Sequence, residues 1–449
     1  MTETHSKSTS YSAFTTFAAQ VAIAVLSLAN VIVIGRILGP SGRGSVAFLT
    51  TIGFISSWLS TFGVDQAISN VAARLPDARR ALAGNAVMLA FLFGGLAAAI
   101  VLAGTLVFPA VQGDASRGLL ILVMLNVPLL VLQIYLRQLA AAQYRFGIGN
   151  LTAVVPAVIN IVGNLGLYLA GHLSVTSAIV TWLLGQAVGT LWLAWYVHAR
   201  LEGFGRPSLP LVRQSLRFGI RAHTSHTMNL GNYRADQWIM GILSTPQQLG
   251  LYSVAVSWSE ALFLLPQALM QVQRPDLARS EHHHAGPRAA LAFRLSILLT
   301  FVLCALMIAA APILCVTVFG EDFRGSIVDL RIVALGGFGI VALKLLGSAL
   351  TAQERPLRES LAVGVTFVTV LALDFILIPS LGGEGASIAS AVGYTAGGLA
   401  MAWIFCWTMK LRLRSLLPGW GTVLETLALA KGLRADLAAA LVRRPAGEG

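Results

Sequence analysis

One pattern constrains this chain more than any other: apolar runs of about 20 residues recur along it, separated by short polar breaks. A helix of that length matches the thickness of a bilayer's hydrocarbon core. Such windows lie at 14–36, 46–70, 83–109, 119–140, 151–171, 175–198, 218–243, 250–272, 291–318, 329–352, 359–380 and 386–409. Lipid offers no hydrogen-bond partners, so a spanning run must satisfy its own backbone as a helix. The pattern therefore predicts an all-α integral membrane protein with about twelve transmembrane helices. Composition agrees, with 56% hydrophobic residues and only 11% charged, where a soluble domain carries about 25% charged. The formal charge of +12 does not argue for nucleic acid as a partner, because positive charge in such proteins collects in cytoplasmic loops. Cys304, Cys315 and Cys406 all fall in apolar runs and read as small packed side chains, not as disulfides or metal ligands. The opening MTETHSKSTSYSAF has no charged region followed by a cleavable apolar run, so no signal peptide is expected.

The basic residues set the orientation. With a cytoplasmic N-terminus, 23 of them fall at inner positions, among them Arg74, Arg79, Arg80, Arg213 and Arg217. Five fall at outer ends: Arg36, Arg43, Arg117, Arg324 and Arg331. This bias places both termini in the cytoplasm. Outer loops are short, so no outer domain is expected. The reading divides the chain into an N-terminal six-helix lobe (1–199), a cytoplasmic linker rich in Gly, Pro and Arg (200–217), a C-terminal six-helix lobe (218–410) and a cytoplasmic amphipathic or disordered tail (411–449).

The two halves echo each other. GRILGPSGRGSVAF at 35–48 and GILSTPQQLGLYSVA at 241–255 each end a helix in Ile-Leu, turn through a proline, and restart at a glycine. Gly44 and Gly250 correspond at an offset of 206, while Gln143/Gln353, Arg145/Arg355, Asn164/Asp374 and Ser177/Ser387 correspond at 210. An even number of spans per half makes the repeat parallel, with a pseudo-two-fold axis along the membrane normal and a cavity between the lobes.

Within this apolar chain, the stretch Phe218 to Gly241 stands out. On a helical wheel His223, His226, Thr227, Asn229, Tyr233, Arg234, Asp236 and Gln237 occupy roughly half the circumference at about 100° per residue. A polar face costs several kcal/mol against hydrocarbon, so this helix must border water or a polar ligand. Arg234 and Lys344 are the prominent intramembrane cations. Asp236, Glu260, Asp65 and Asp374 are the acids within or near membrane windows, and Asp236 lies about 160° from Arg234 on the wheel, so the two are not expected to pair within the helix. Arg36 sits near the outer end of the first span, where snorkelling is the plain alternative to a functional role. Tyr252 is a candidate for stacking against sugars, with packing as its plain alternative. The run His282-His283-His284 reads as solvated loop. No Walker loop, nucleophile elbow or HExxH motif is present, and no cofactor is expected.

The block RILGPSGRGSVAFLTTIGFISSWLSTFGVDQAISNVAAR at 36–74, AAAQYRFGIGN at 140–150 and ADQWIMGILSTPQQLGLYSVA at 235–255 carry a resemblance. In their order and spacing they resemble the polysaccharide transporters, the Wzx-type O-antigen and exopolysaccharide flippases of the multidrug/oligosaccharidyl-lipid/polysaccharide (MOP) exporter superfamily. The resemblance implies two six-helix lobes in a V, alternating access, and export of an oligosaccharide carried on a polyprenyl diphosphate. Some members have two further C-terminal helices, which the polar, Pro/Gly-broken region after 411 does not supply. Under this resemblance Arg234, Lys344 and Arg36 are the expected diphosphate contacts, and His226, Asn229, Tyr233 and Gln237 the expected glycan contacts. Asp236 and Glu260 are candidates for ion coupling. The expected partners are the lipid-linked oligosaccharide, membrane lipids, and a polysaccharide polymerase or export machinery, in a bacterial inner membrane. The alternatives are a drug/cation antiporter of the same superfamily, a peptidoglycan-precursor flippase, and an integral-membrane glycan polymerase or ligase.

Overall fold

The computed structural model describes residues 2–108, 112–113, 115–279 and 282–419. Side chains at 2–14, 221–227, 229, 230, 233, 261, 263–276 and 278–284 lie outside the described set. Among the described residues thirteen α-helices carry the fold. The first, α1 (Thr2–Leu59), holds two spans: its apolar part, Thr15–Leu59, has 45 residues, about twice what one crossing needs. It breaks at Gly39, whose φ of 66° and ψ of −176° suit glycine alone, and Pro40 opens the second limb. The second limb continues, after a break at Phe62 and Gly63, into α2 (Val64–Arg74). Then come α3 (Arg79–Val107), α4 (Arg117–Ala141), α5 (Phe146–Leu169) and α6 (Val175–Arg200). The second half holds α7 (Leu209–Leu243), α8 (Pro246–Arg279) and α9 (His282–Pro312), extended by a π-helical turn at Ile313–Thr317. A single span made of α10 (Ser326–Leu335) and α11 (Gly337–Ala352) follows, then α12 (Pro356–Leu381) and α13 (Gly383–Met409).

Among the described residues, nine helices are long and apolar enough to cross a membrane, α1 being counted once. The helices α7 and α8, with 35 and 34 residues, are also long enough to cross; parts of both lie outside the described side chains. Counting α1 twice and adding these two restores the twelve spans. The seventh span begins earlier than hydropathy suggests: α7 starts at Leu209, so only residues 201–208 connect the halves without helix. Pro210 starts it, in the first turn where the missing N–H costs nothing. The expected tail lies outside the described residues beyond 419.

The repeat is visible in the backbone. Tyr144 and Glu354, 210 residues apart, both take positive φ, 57° and 60°. In each turn the next residue folds back in the same way: Arg145 N–H donates to the Ala140 carbonyl at 3.0 Å, and Arg355 N–H to Leu350 at 2.9 Å. Within each lobe helices close through small residues, as expected where lipid supplies no hydrophobic drive. Gly185 lies against the Pro156 backbone, and Gly397 against Thr366.

Between the lobes, the two proline turns dock on each other. A Cβ added to Gly44 would lie 1.8 Å from the Pro246 carbonyl oxygen, and one on Gly250 would lie 1.9 Å from that of Pro40. Pro40 and Pro246 are themselves 206 apart, so each half offers the same carbonyl to the other half's glycine. Beside this seal Arg36 reaches across to the other lobe and donates to the carbonyls of Thr317 and Val318, both at 2.6 Å. These are last-turn carbonyls of the α9 extension, where a cation is favoured. Toward the opposite end a second close approach joins Gly63 to Gly219 of α7, where a Cβ on Gly63 would meet a backbone oxygen at 2.2 Å. There a cavity of about 1540 Å³ opens along the first turns of α7, with Arg213 and Arg217 on its wall.

Candidate functional site

The polar residues of α7 are carried by a helix that packs on the second limb of α1, on α8 and on α12. Two groups of side chains meet there. The first is a buried chamber inside the second lobe. Asp236 accepts from the Tyr252 hydroxyl in a very short hydrogen bond and from the Gln237 backbone N–H at 2.7 Å. The Tyr252 oxygen also lies 3.1 Å from Ser390 Oγ. Glu260, Ser259 and Tyr394 complete the wall, around a space of about 10 Å³, room for no more than about one water-sized particle. Asp374 of α12 lies within electrostatic range of Asp236. It is 0% exposed, and neither of its carboxylate oxygens has a hydrogen-bond partner. A buried carboxylate without a donor is costly as an anion. Two in range of each other call for a proton or a cation between them.

The second group lies toward the proline-turn seal. Arg234 pairs with Glu260 of α8 at 2.8 Å, the two side chains being 34% and 43% exposed. Arg43, from the proline turn of the other lobe, lies within range of both. The sequence placed Arg43 only among the outer-end residues; the fold buries it to 9% exposure, and its Nε has no partner. Burial follows from its neighbour Gly44, whose contact with Pro246 pins this turn against the opposite lobe. Lys344, half-buried on α11, is within range of Glu260. Three cations thus converge on one carboxylate, from both lobes.

The predicted residues divide accordingly. Arg234, Lys344, Asp236 and Glu260 come together, and Asp236 and Arg234 indeed take different partners. Gln237 is buried, and its Oε1 accepts from Thr51 of the first lobe at 3.0 Å, so in this state it bridges lobes instead of facing a cavity. Arg36 lies apart from the site, its donors spent on helix-end carbonyls. Tyr252, a candidate for stacking, is buried against Asp236 and presents no ring face to a ligand. The side chains of His226, Asn229 and Tyr233 lie outside the described residues, as do those of His282-His283-His284. Among the described residues no group of three His, Cys, Asp or Glu could hold a metal ion. Arg43 escaped sequence reasoning, hidden by its place in a loop, while Asp374 stood out in the sequence only as an acid in a membrane window and as the partner of Asn164 in the repeat, with no role assigned.

That partnership has a counterpart in space. Asn30 and Asp236 are also 206 apart, so the pair Asp236/Asp374 repeats the pair Asn30/Asn164. In the first lobe the pair is neutral: Asn164 Nδ2 donates to Asn30 Oδ1 at 2.8 Å and to Asn160 Oδ1 at 3.1 Å.

The architecture has known relatives. It superposes on an inward-facing multidrug resistance MATE family transporter of the MOP superfamily with a TM-score of 0.69, at 15% identity, covering 88% of this chain and 95% of that one. The inward closed conformation of the lipid II flippase MurJ gives 0.70 at 13% identity, with coverage of 96% and 94%. An outward-facing MATE family transporter gives 0.56 at 14% identity, with coverage of 90% and 94%. At these identities the likeness shows the fold, the two-lobed, twelve-helix fold of the MOP superfamily. No curated protein matches the sequence. The family described as "Polysaccharide biosynthesis protein" matches residues 33–328, which span the proline turns of both halves and the polar helix between them. The chain belongs to that polysaccharide biosynthesis family, on the fold of the MOP transporters.

Proposed function

We propose that this protein is a flippase that moves a polyprenyl-diphosphate-linked oligosaccharide across a bacterial inner membrane by alternating access, both termini being cytoplasmic. The observation that carries the reading is the convergence of Arg43, Arg234 and Lys344 around the single carboxylate of Glu260. A site with that excess of positive charge suits an anionic head group, and guanidinium forks match phosphate oxygens. The family and the fold support a transporter and not an enzyme, and the lipid II flippase among the structural relatives supports a lipid-linked substrate. The state is read as inward-facing: the Pro40/Pro246 end is sealed, the cavity of about 1540 Å³ lies at the other end of α7, and the inward-facing relative superposes better than the outward-facing one. Transport then consists of rocking the lobes about the site, with the substrate's differential affinity for the two states driving the exchange. The predicted glycan contacts His226, Asn229 and Tyr233 belong to this proposal. So do a polymerase or export machinery as partners.

The test is translocation of a fluorescent polyprenyl-diphosphate oligosaccharide in proteoliposomes, comparing wild type with Arg234→Ala and Lys344→Ala. Loss of transport in either variant, with the protein folded, supports the slot. Normal transport in both removes it.

A second reading, a cation-coupled drug antiporter, draws on the acidic chamber. Asp236 and Asp374 suit one exchangeable cation, a proton or sodium ion, and within the flippase reading the same chamber supplies ion coupling, with Glu260 on its wall. Proteoliposomes that ignore the lipid but exchange organic cations for protons or sodium favour the antiporter.

A further inference from the structure

We propose that Glu260 is an internal stand-in for the substrate's diphosphate, occupying the anion position in the resting state and yielding it when the substrate arrives. The inference rests on the reading of the cationic group as a diphosphate slot.

Three observations carry it. The Arg234–Glu260 pair, though well formed at 2.8 Å, is one-third to two-fifths exposed. An ion pair this exposed is weakened by solvent screening, so breaking it costs little. The carboxylate also leaves its surroundings unsatisfied. Arg43 is more than nine-tenths buried and keeps an unpartnered Nε beside the pair. Arg43, Arg234 and Lys344 all lie in range of Glu260, with Asp236 a second acid in range of Arg234, and a diphosphate would bring more charge and more acceptor oxygens than the one carboxylate paired with Arg234. Finally, Glu260 is 43% exposed and its neighbours on the chamber wall include the hydroxyl residues Ser259, Ser390 and Tyr394, so it can swing clear of Arg234 on the open side without entering the chamber beside Asp236. An arriving diphosphate therefore displaces Glu260 from Arg234 without stranding it in hydrocarbon.

A purely structural ion pair makes the opposite prediction. Neutralising a structural partner weakens the site, whereas neutralising a stand-in strengthens it for the ligand. The experiment measures binding of inorganic pyrophosphate to the full-length, detergent-solubilised protein by calorimetry, for wild type, Glu260→Gln, Arg43→Gln and the double variant. Glu260→Gln is expected to tighten binding at least about fivefold, since a competitor and a repulsive charge both go. Arg43→Gln is expected to weaken it about tenfold through loss of charge-assisted hydrogen bonds. The double variant should fall between them. Unchanged or weaker binding in Glu260→Gln overturns the proposal. Should that variant not fold, Glu260→Asp, which shortens the reach to Arg234, takes its place and should tighten binding about twofold or more. The two readings fail separately. Wild type that neither binds pyrophosphate nor transports the lipid overturns the diphosphate slot, and the stand-in with it. Wild type that transports the lipid while Glu260→Gln binds no tighter overturns the stand-in alone.

Discussion

At corresponding depths of the two lobes, the chain buries two pairs of side chains of nearly identical size and opposite character. In the first lobe Asn30 and Asn164 hold each other by an amide hydrogen bond of 2.8 Å, with Asn160 adding a second acceptor. In the second lobe Asp236 takes donors from Tyr252 and from backbone, while Asp374 takes none. The amide pair is held by its own hydrogen bonds through Asn164 Nδ2, although Asn164 Oδ1 has no partner, and it reads as a structural tie. The acid pair is incomplete without a proton or cation and reads as a working part. Exchange of one amide nitrogen for oxygen at each of two positions is enough to separate a strut from a switch. The neighbours differ to match: Tyr252 stands where the first lobe has Val46, so the hydroxyl donor was supplied only on the acidic side.

The largest expected effect comes from moving the acid into the wrong lobe. Asn164→Asp sets a carboxylate against the Asn30 and Asn160 oxygens in a fully buried site and should cost about 3 kcal/mol or more. Thermal unfolding of the purified protein reads this directly, and an unchanged melting temperature would remove the contrast between the lobes. Next come the seal glycines. A valine at Gly44 or at Gly250 drives carbon into a backbone carbonyl, a strain of about 1–3 kcal/mol against closure of that end. Because the contacts are reciprocal, the two variants should shift the conformational balance by similar amounts, as read by thiol labelling of a cysteine placed at exposed Ser41. Strongly unequal shifts would show that the halves do not share the seal evenly.

Asp374→Asn converts the second lobe toward the first. It should leave stability unchanged or improve it by about 1 kcal/mol, since an unpartnered buried acid disappears, while transport loses its dependence on sodium or pH. A variant that keeps full cation dependence would take Asp374 out of the chamber's function. The smallest effect is assigned to Thr51→Val, which removes one interlobe hydrogen bond to Gln237, worth about 1 kcal/mol. It should open the lobes slightly and lower the melting temperature little. A large loss would mean that Gln237 does more than join the lobes.

The spans were legible in the sequence because the bilayer imposes length and composition on each helix separately. The least apolar of them, α7, lines the site, and its polarity was itself the signal. The turns at Tyr144 and Glu354 were legible as a repeat because a turn's conformation depends on a handful of adjacent residues. The correspondence of Asn30 with Asp236 was not, since the offset changes from 206 to 210 along the halves and single polar residues do not anchor an alignment. Arg36 and Arg43 illustrate a different limit. Both were outer-end cations in the sequence, Arg36 an expected diphosphate contact as well, yet one caps a helix end 281 residues away and the other is drawn under a seal. Only the packing of one lobe on the other decides which.

The reciprocal contact of Pro40 with Gly250 and Pro246 with Gly44 has a consequence beyond gating. A contact in which each party presents the same two groups to the other is the isologous contact of a two-fold dimer. Nothing in this seal requires the halves to differ, or even to be joined: two identical half-chains bearing this turn would supply every group it uses. The joined chain keeps the dimer's symmetry where closure depends on shape and abandons it where charge has work to do.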